Sequence, residues 1–590
     1  MKDSPARITL EEWDARYAEL RVAGLREPWY GGPLRRHVDE GGDYRLLRLR
    51  YDNSPAALRL WNFLLTEEDR LKEARRQGKK LVGAMKDLGT VPVMAYSLAN
   101  VTAFYPDGAW WIPCMMELSS KDLEIADSLG IDESFCPVRA MLGAFLTEAH
   151  FPIPDLLTCN VGATCDDFSA IAQRLNGLGF PILWWETPHR RKPKVGQASR
   201  LSGSQVGQAS RLSGSQVGQA SRLSGSQVGQ ASGLSGSQVG QASRLSGSRI
   251  GQASRLSGSQ VGQASRLSGS QVGQASGLSG SQVGQASRLS GSQVGQASRL
   301  SGSQVGQASG LSGSQVGAGF NFLPAEESVP LPGGLSAPRE QVDFVRLELE
   351  RVRGAIEELA GGRLDDAALR DGIRVANRMR RVLAELRELS YSAPVCPIPA
   401  LEMLIAEMLA IHFCSDREEA IRVLEELLEE ARRRVRAGIG PLGADAVRVF
   451  WVNPVADLRA MNILEDCGGR VCGTEYLFSH ALDPIPEDVP PMEALARTAL
   501  ADPMIGPCSD RADRICRDIQ LFGAEAVLVS RIPGASHCAV EGAVIHEMVR
   551  ERLGLPVQEI EVPPLCDAVA TTIRTRIETL IETVKARRKP

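Results

Sequence analysis

No run of residues in this 590-residue chain is long and apolar enough to cross a membrane. The opening stretch "MKDSPARITLEEWDARYAEL" is charged and amphipathic and lacks the apolar core of a secretory signal. These two absences set the expectation of a cytoplasmic protein with no membrane partner. No G-x-x-x-x-G-K-[ST] sequence occurs, so ATP binding through a P-loop is not expected. Histidine is scarce, at seven residues, and no pair has HExxH spacing. No convincing G-x-S-x-G marks a serine nucleophile.

Net positive charge is also missing. The chain carries −4, and the tract Val195–Gln315 holds nine Arg and no acid, so taking its nine charges away leaves −13 for the rest. A body this acidic argues against nucleic acid as a partner. The tract itself is eleven near-identical copies of "VGQASRLSGSQ", varied by Gly233, Gly277, Gly310, Arg249 and Ile250. Each copy has little besides Val, Ala and Leu to bury, which predicts a disordered Gly/Ser-rich insertion. The competing reading is a β-solenoid in which Val and Leu of successive copies stack. Near-identity of the copies suggests a tolerated insertion in a surface loop.

What is present is α/β alternation. Residues 1–75 read as a helical N-terminal segment, with "SPAALRLWNFLLTEEDRLKEARRQG" its clearest part. Residues 76–194 form a first α/β domain: "KKLVGAM", "TVPVMAYS", "DLLTC" and "FPILWWETP" suit buried strands. Between the last two, Phe168, Ile171, Ala172, Leu175 and Leu178 mark one face of a helix. Residues 195–317 are the repeat insertion. Residues 318–440 are a helical module. Residues 441–590 alternate strand and helix again, from "VRVFWVNP" to a closing helix with Ile573, Ile577, Leu580, Ile581 and Val584. The predicted architecture is two doubly wound parallel-sheet domains with a helical module between them.

Ligands in such folds sit beyond the carboxyl ends of the strands. Twelve cysteines in a cytoplasmic chain are not expected to be disulfides, and some are candidate ligands. Cys165 follows "DLLTCNVGAT" and opens a helix, with Asp166 or Asp167 as a candidate cap. Cys538 repeats the arrangement after "AEAVLVS" and the loop "RIPGASH". Cys136, in "ESFCPVRAMLGAF", also precedes a helix pattern. A thiol at a helix start is favoured as thiolate, the metal-binding form. Any one of them can equally be a packed small hydrophobe. Cys114, Cys396, Cys414, Cys467, Cys472, Cys508, Cys516 and Cys566 read as packing or surface residues. Neither Cys159 with Cys165 nor Cys467 with Cys472 has the spacing of a zinc half-site.

The pieces "FCPVRAMLGAF", "PDLLTCNVGATCDDFSAI", "GLGFPILWWETP", "AVLVSRIPGASHCAVEGAVIHEMVRERLGLPVQEIEV" and "IRTRIETLIE" occur in that order. Together they resemble the 2-hydroxyacyl-CoA dehydratase and benzoyl-CoA reductase family, with its 2-hydroxyglutaryl-CoA dehydratase D-component-like subunits. The resemblance implies two flavodoxin-like domains with a [4Fe–4S] cluster in the cleft between them. It implies Cys136, Cys165 and Cys538 as the cluster ligands, with Cys159 the alternative to Cys165. It implies an acyl-CoA substrate, a homologous second subunit and an ATP-hydrolysing iron–sulfur activator protein that supplies a low-potential electron. One departure stands out. The family's first strand leads into a Cys-containing turn, whereas "LVGAMKDLGTVPVMAYS" has none. That departure keeps open a non-catalytic partner or assembly subunit of the same fold.

Overall fold

The computed structural model describes residues 4–22, 44–87, 89–106, 118–162, 165–191, 327–454, 457–475, 479–563 and 567–588. Within the repeat tract it describes 201–206, 212–217, 223–228, 234–239, 245–250, 256–257, 260–261, 267–268, 271–272, 278–279, 282–283, 289–290 and 293–294. Two compact units result: Met1–Lys192 with Val329–Pro590, and Pro193–Ser328.

Short apolar runs in the first unit form strands because both of their faces are covered. The first sheet contains β1 (Lys80–Met85), β2 (Val101–Phe104), β3 (Leu156–Gly162) and β4 (Ile182–Thr187), all parallel, in the order β2-β1-β3-β4. Alternate side chains point to opposite faces. Leu81 and Met85 enter one apolar cluster, while Val82 and Ala84 enter the other. The helix α1 (Asp166–Gly177) lays Phe168, Ile171, Ala172 and Leu175 on the Leu81 face. Each large side chain buried there contributes about 1.5–3 kcal/mol relative to exposure. "TVPVMAYS" is not a strand but the helix Val91–Tyr96. Pro92 suits a first turn, and the Asp87 carboxylate accepts from the Val91 amide at 2.8 Å. The partner strand is instead "VTAF" at β2.

Four helices follow: α2 (Arg339–Ala360), α3 (Asp366–Ser392), α4 (Ala400–His412) and α5 (Arg417–Ala437). Gly361 and Gly438 end α2 and α5 in the left-handed conformation that glycine adopts without strain. The second sheet repeats the first: β5 (Val447–Val452), β6 (Gly469–Glu475), β7 (Ala526–Arg531) and β8 (Val557–Glu561), parallel, in the order β6-β5-β7-β8. Helix α6 (Cys508–Phe522) precedes β7, and α7 (Ser536–Leu553) follows it. The N-terminal segment supplies the helices Leu10–Val22, Pro55–Leu65 and Glu67–Arg76. No described helix is long and apolar enough to cross a membrane.

The expected disordered insertion is not what the described residues of the repeat tract show. They form a 13-stranded parallel sheet in which identical residues face one another: Leu201 and Leu212, Gln205 and Gln216, Val206 and Val217. The physical reason is repetition rather than composition. A fixed period lets like stack on like, and each added coil completes the backbone bonds of the one before.

The segment leading into the repeat tract is tied to the start of α2 by the first unit's own bonds. The Arg191 amide donates to Gln341 Oε1 at 3.0 Å, and Gln341 Nε2 donates to the His189 carbonyl at 2.8 Å. Replacing residues 195–315 by a short Gly/Ser linker should therefore leave thermal unfolding of the first unit cooperative, with an unchanged or higher Tm, because shortening a loop lowers its closure cost. Loss of folding would show that the repeat sheet supports the first unit.

A buried carboxyl cluster lies where α4 meets the N-terminal segment. Glu402 is fully buried and accepts from the Asp52 amide at 3.0 Å and Trp61 Nε1 at 3.2 Å. Burial, with the nearby Asp52 carboxylate, pushes its pKa from the ordinary 4.5 up to about 8. The folded state thus holds this proton when the unfolded chain has released it, so the contribution is complete below pH 4.5 and is lost as pH rises through about 8. Glu402→Gln should remove that slope and be more stable than wild type above pH 8, by on the order of a few kcal/mol. Denaturant unfolding at pH 5, 7 and 9 measures it.

Candidate functional site

The loops at the carboxyl ends of the two sheets meet. In the first sheet, Lys86 follows β1 with a left-handed backbone, φ 48°, and its ammonium pairs with Asp502 Oδ2 at 2.9 Å. Arg190 follows β4. Its Nη1 donates to the carbonyls of Leu500 at 2.6 Å and Asp502 at 3.1 Å, and its amide donates to the Ile505 carbonyl at 2.7 Å. Its Nη2 lies 3.3 Å from Asp510. Residues 500–510 lead into α6, which stands at the carboxyl end of the second sheet. There Arg511 donates to Glu475 Oε1 at 2.9 Å, to Asn453 Oδ1 at 2.6 Å and to Glu541 Oε2 at 2.8 Å. That one guanidinium joins the ends of β5 and β6 to the first turns of α7. Asn453 follows β5 with φ 54°, the same backbone departure that Lys86 shows after β1.

The cysteine positions fall around this junction. Cys136 is half-buried and precedes the turn Pro137–Arg139, which packs against α1. Cys165 is itself the N-cap of α1, with extended φ −169°; Asp166 and Asp167 lie in the first turn rather than capping it. The two cysteines border the same apolar cluster. Gly534 precedes α7 at φ 77°, and its α carbon is pressed on the backbone of Phe135 and Cys136. A Cβ there would overlap the Phe135 carbonyl oxygen and stand 3.0 Å from the Cys136 nitrogen. The same carbonyl accepts from Arg139 Nη1 at 3.1 Å, so it cannot swing away freely. The Cys136 turn is thus in touch with both α1 and the turn that begins α7. Cys538 is the third residue of α7; its side chain lies outside the described residues.

Cys159 is different. It sits within β3, opposite Met85 and Trp184, fully buried in the sheet's core. The Cys165 thiol does not follow the expectation of a helix-start thiolate, because burial outweighs the helix and pushes it up to about 11. Cys508, read from sequence as packing, opens α6 beside Arg511 and Glu541, and burial with the Glu541 carboxylate raises its thiol to about 11. Lys86, Arg190, Asp502 and Gly534 were not singled out from sequence; only the glycine in "RIPGAS" carried a local signal, that of a turn.

A family model described as "2-hydroxyglutaryl-CoA dehydratase, D-component" matches residues 328–584. Across that span the chain is D-component-like. The match takes in α2–α7, the second sheet and the Cys538 turn, while Cys136 and Cys165 precede it. A protein of Escherichia coli (strain K12) named "Putative dehydratase subunit YjiM" is 24% identical over 245 residues, which is 40% of this chain and 62% of that protein. The chain therefore spans less than two thirds of that relative's length. Cysteine thiolates in general are donors for a soft metal or an iron–sulfur group. Among the described residues no three His, Cys, Asp or Glu side chains are already grouped as a metal site.

Gly534→Ala should separate the Cys136 and Cys538 turns. Positive φ and the overlap with a fixed carbonyl together should cost about 1–3 kcal/mol, read as a lower denaturation midpoint at unchanged m-value.

Proposed function

We propose that this chain is the iron–sulfur subunit of a 2-hydroxyacyl-CoA dehydratase or benzoyl-CoA reductase-type enzyme. Each parallel sheet, with its order of second, first, third and fourth strand, is one flavodoxin-like half. The thiolates of Cys136, Cys165 and Cys538 would hold a [4Fe–4S] cluster between the two carboxyl ends. The observation that carries this reading is the Gly534 contact, which sets the turn before Cys538 on the backbone of Cys136. Such a group, when bound, supplies low-potential one-electron chemistry at a CoA thioester carbonyl.

The chain's own residues supply the setting. Arg190 and the Lys86–Asp502 pair fix the two halves against each other. Arg511 fixes the start of α7 against the second sheet. Burial of Cys165 keeps water from its thiol. A homologous second subunit, an ATP-hydrolysing iron–sulfur activator and an acyl-CoA substrate complete the proposed system, since thioester reduction is too uphill for ordinary donors. The turn after β1 holds Lys86 and Asp87 where the family pattern has a cysteine. That departure supports the second reading, a non-catalytic subunit of the same fold.

Anaerobically purified protein should contain iron and sulfide in equal amounts. Cys136→Ala, Cys165→Ala and Cys538→Ala should each lose iron, while Cys414→Ala should not. Iron lost in Cys159→Ala and kept in Cys165→Ala would exchange those two assignments; iron kept in all three variants would reject the ligand set. Turnover of 2-hydroxyacyl- or aryl-CoA thioesters should require the second subunit, the activator and ATP. A full cluster with no turnover under any combination would favour the non-catalytic reading.

A further inference from the structure

The strand Leu201–Val206 is the first of the repeat tract and lies at one edge of its 13-stranded sheet. Among the described residues it pairs on one side only, with Leu212–Val217. An edge strand presents a row of backbone N–H and C=O groups to any further strand that approaches. Natural edges are blunted by lysine, proline, a bulge or a covering element. The six residues "LSGSQV" contain no charge and no proline, and their register against the next strand runs without a shift. Solenoids also close their ends with atypical terminal repeats that act as caps. Here the first copy, Val195–Gln205, is the common one. The last, Val305–Gln315, differs from it only by Gly310, a change that two internal copies share at Gly233 and Gly277.

What an incoming strand would meet is already present inside the sheet. Leu201 pairs with Leu212, Leu212 with Leu223, and Gly236 with Gly247, each residue opposite its equivalent in the next copy. A further "LSGSQV" set on the open side of Leu201–Val206 would make that same ladder, and a second molecule of this chain carries the sequence many times over. The ladders are parallel, so molecules would join head to tail, the start of one tract on the end of another. A contact of that kind does not close on itself, and it leaves an edge at each end for the next molecule.

We propose that the repeat tract is a self-association module: the first strand of one molecule takes up the last repeat of a second copy of this chain, in the parallel register already seen between neighbouring copies. The assembly is open-ended and grows by one molecule at a time. The proposal is independent of the iron–sulfur reading.

Sedimentation velocity of the full chain over a range of concentrations tests it. The weight-average mass should rise with concentration, whereas the variant with a short linker in place of residues 195–315 should stay at one mass. A full chain of constant mass would overturn the proposal. So would association that persists in the linker variant, because the contact would then lie in the first unit. Two charge variants keep the tract and test the register. Gln205 is in the first strand, and Gln315 holds the same place in the last copy. Gln205→Lys with Gln315→Lys sets like charges opposite each other at the proposed contact, and Gln205→Lys with Gln315→Glu sets opposite charges there. The first variant should lose the dependence on concentration, and the second should keep it. Net charge alone predicts the reverse order, because two added lysines move the chain from −4 toward zero, which favours association. Equal association of the two variants, or stronger association of the double-lysine one, would overturn the head-to-tail contact. Should the linker variant fail to fold, the charge variants decide alone.

Discussion

Arg190 is almost wholly buried, and its guanidinium is spent on main-chain carbonyls of a segment more than 300 residues away. A charge so placed is tolerated only when its donors are met, since an unpaired buried cation costs several kcal/mol. Leu500, Asp502 and Asp510 meet them, and the Ile505 carbonyl takes the Arg190 amide as well. Gly506 lies directly beneath the guanidinium, where any side chain would collide with it. The consequence is geometric. The segment leading into α6 is fixed over the carboxyl end of the first sheet, so the mouths of the two sheets face each other. The Lys86–Asp502 pair and the Gly534 contact both depend on that placement.

Facing carboxyl ends would let one group draw thiols from both halves, as proposed above. Cys136 lies in the segment that leads into β3, and Cys508 in the segment that leads into β7. Cys165 starts the helix after β3, and Cys538 is in the first turn of the helix after β7. The two halves thus offer thiols at corresponding places around equivalent strand orders. The left-handed residues after β1 and β5 correspond in the same way. In parallel α/β sheets the loop after the third strand borders the point where strand order reverses, which is where ligands bind.

Much of this framework was legible because burial on both faces writes itself as continuous apolar runs: "KKLVGAM", "FPILWWETP", "VRVFWVNP" and "AEAVLVSRI" all became strands. Val91–Tyr96 misled because its valines suit a strand, while the deciding interaction, the Asp87 carboxylate on the Val91 amide, is a turn contact that composition does not reveal. Cysteines at helix starts could be read from order alone. The Lys86–Asp502 pair could not, since nothing in the spacing of two single charges announces contact across 416 residues. The repeat tract shows the reverse problem. Its composition pointed to disorder, whereas its fixed period places Leu201 opposite Leu212.

The space between the two carboxyl ends is the proposed seat of the cysteine-held group. Anomalous X-ray diffraction at the iron absorption edge, on anaerobically grown crystals of the full chain, tests it most directly. The account predicts a single strong iron peak bounded by the Cys136 turn, the start of α1 and the start of α7. An iron peak elsewhere in the chain, or a zinc-edge peak in its place, would contradict it.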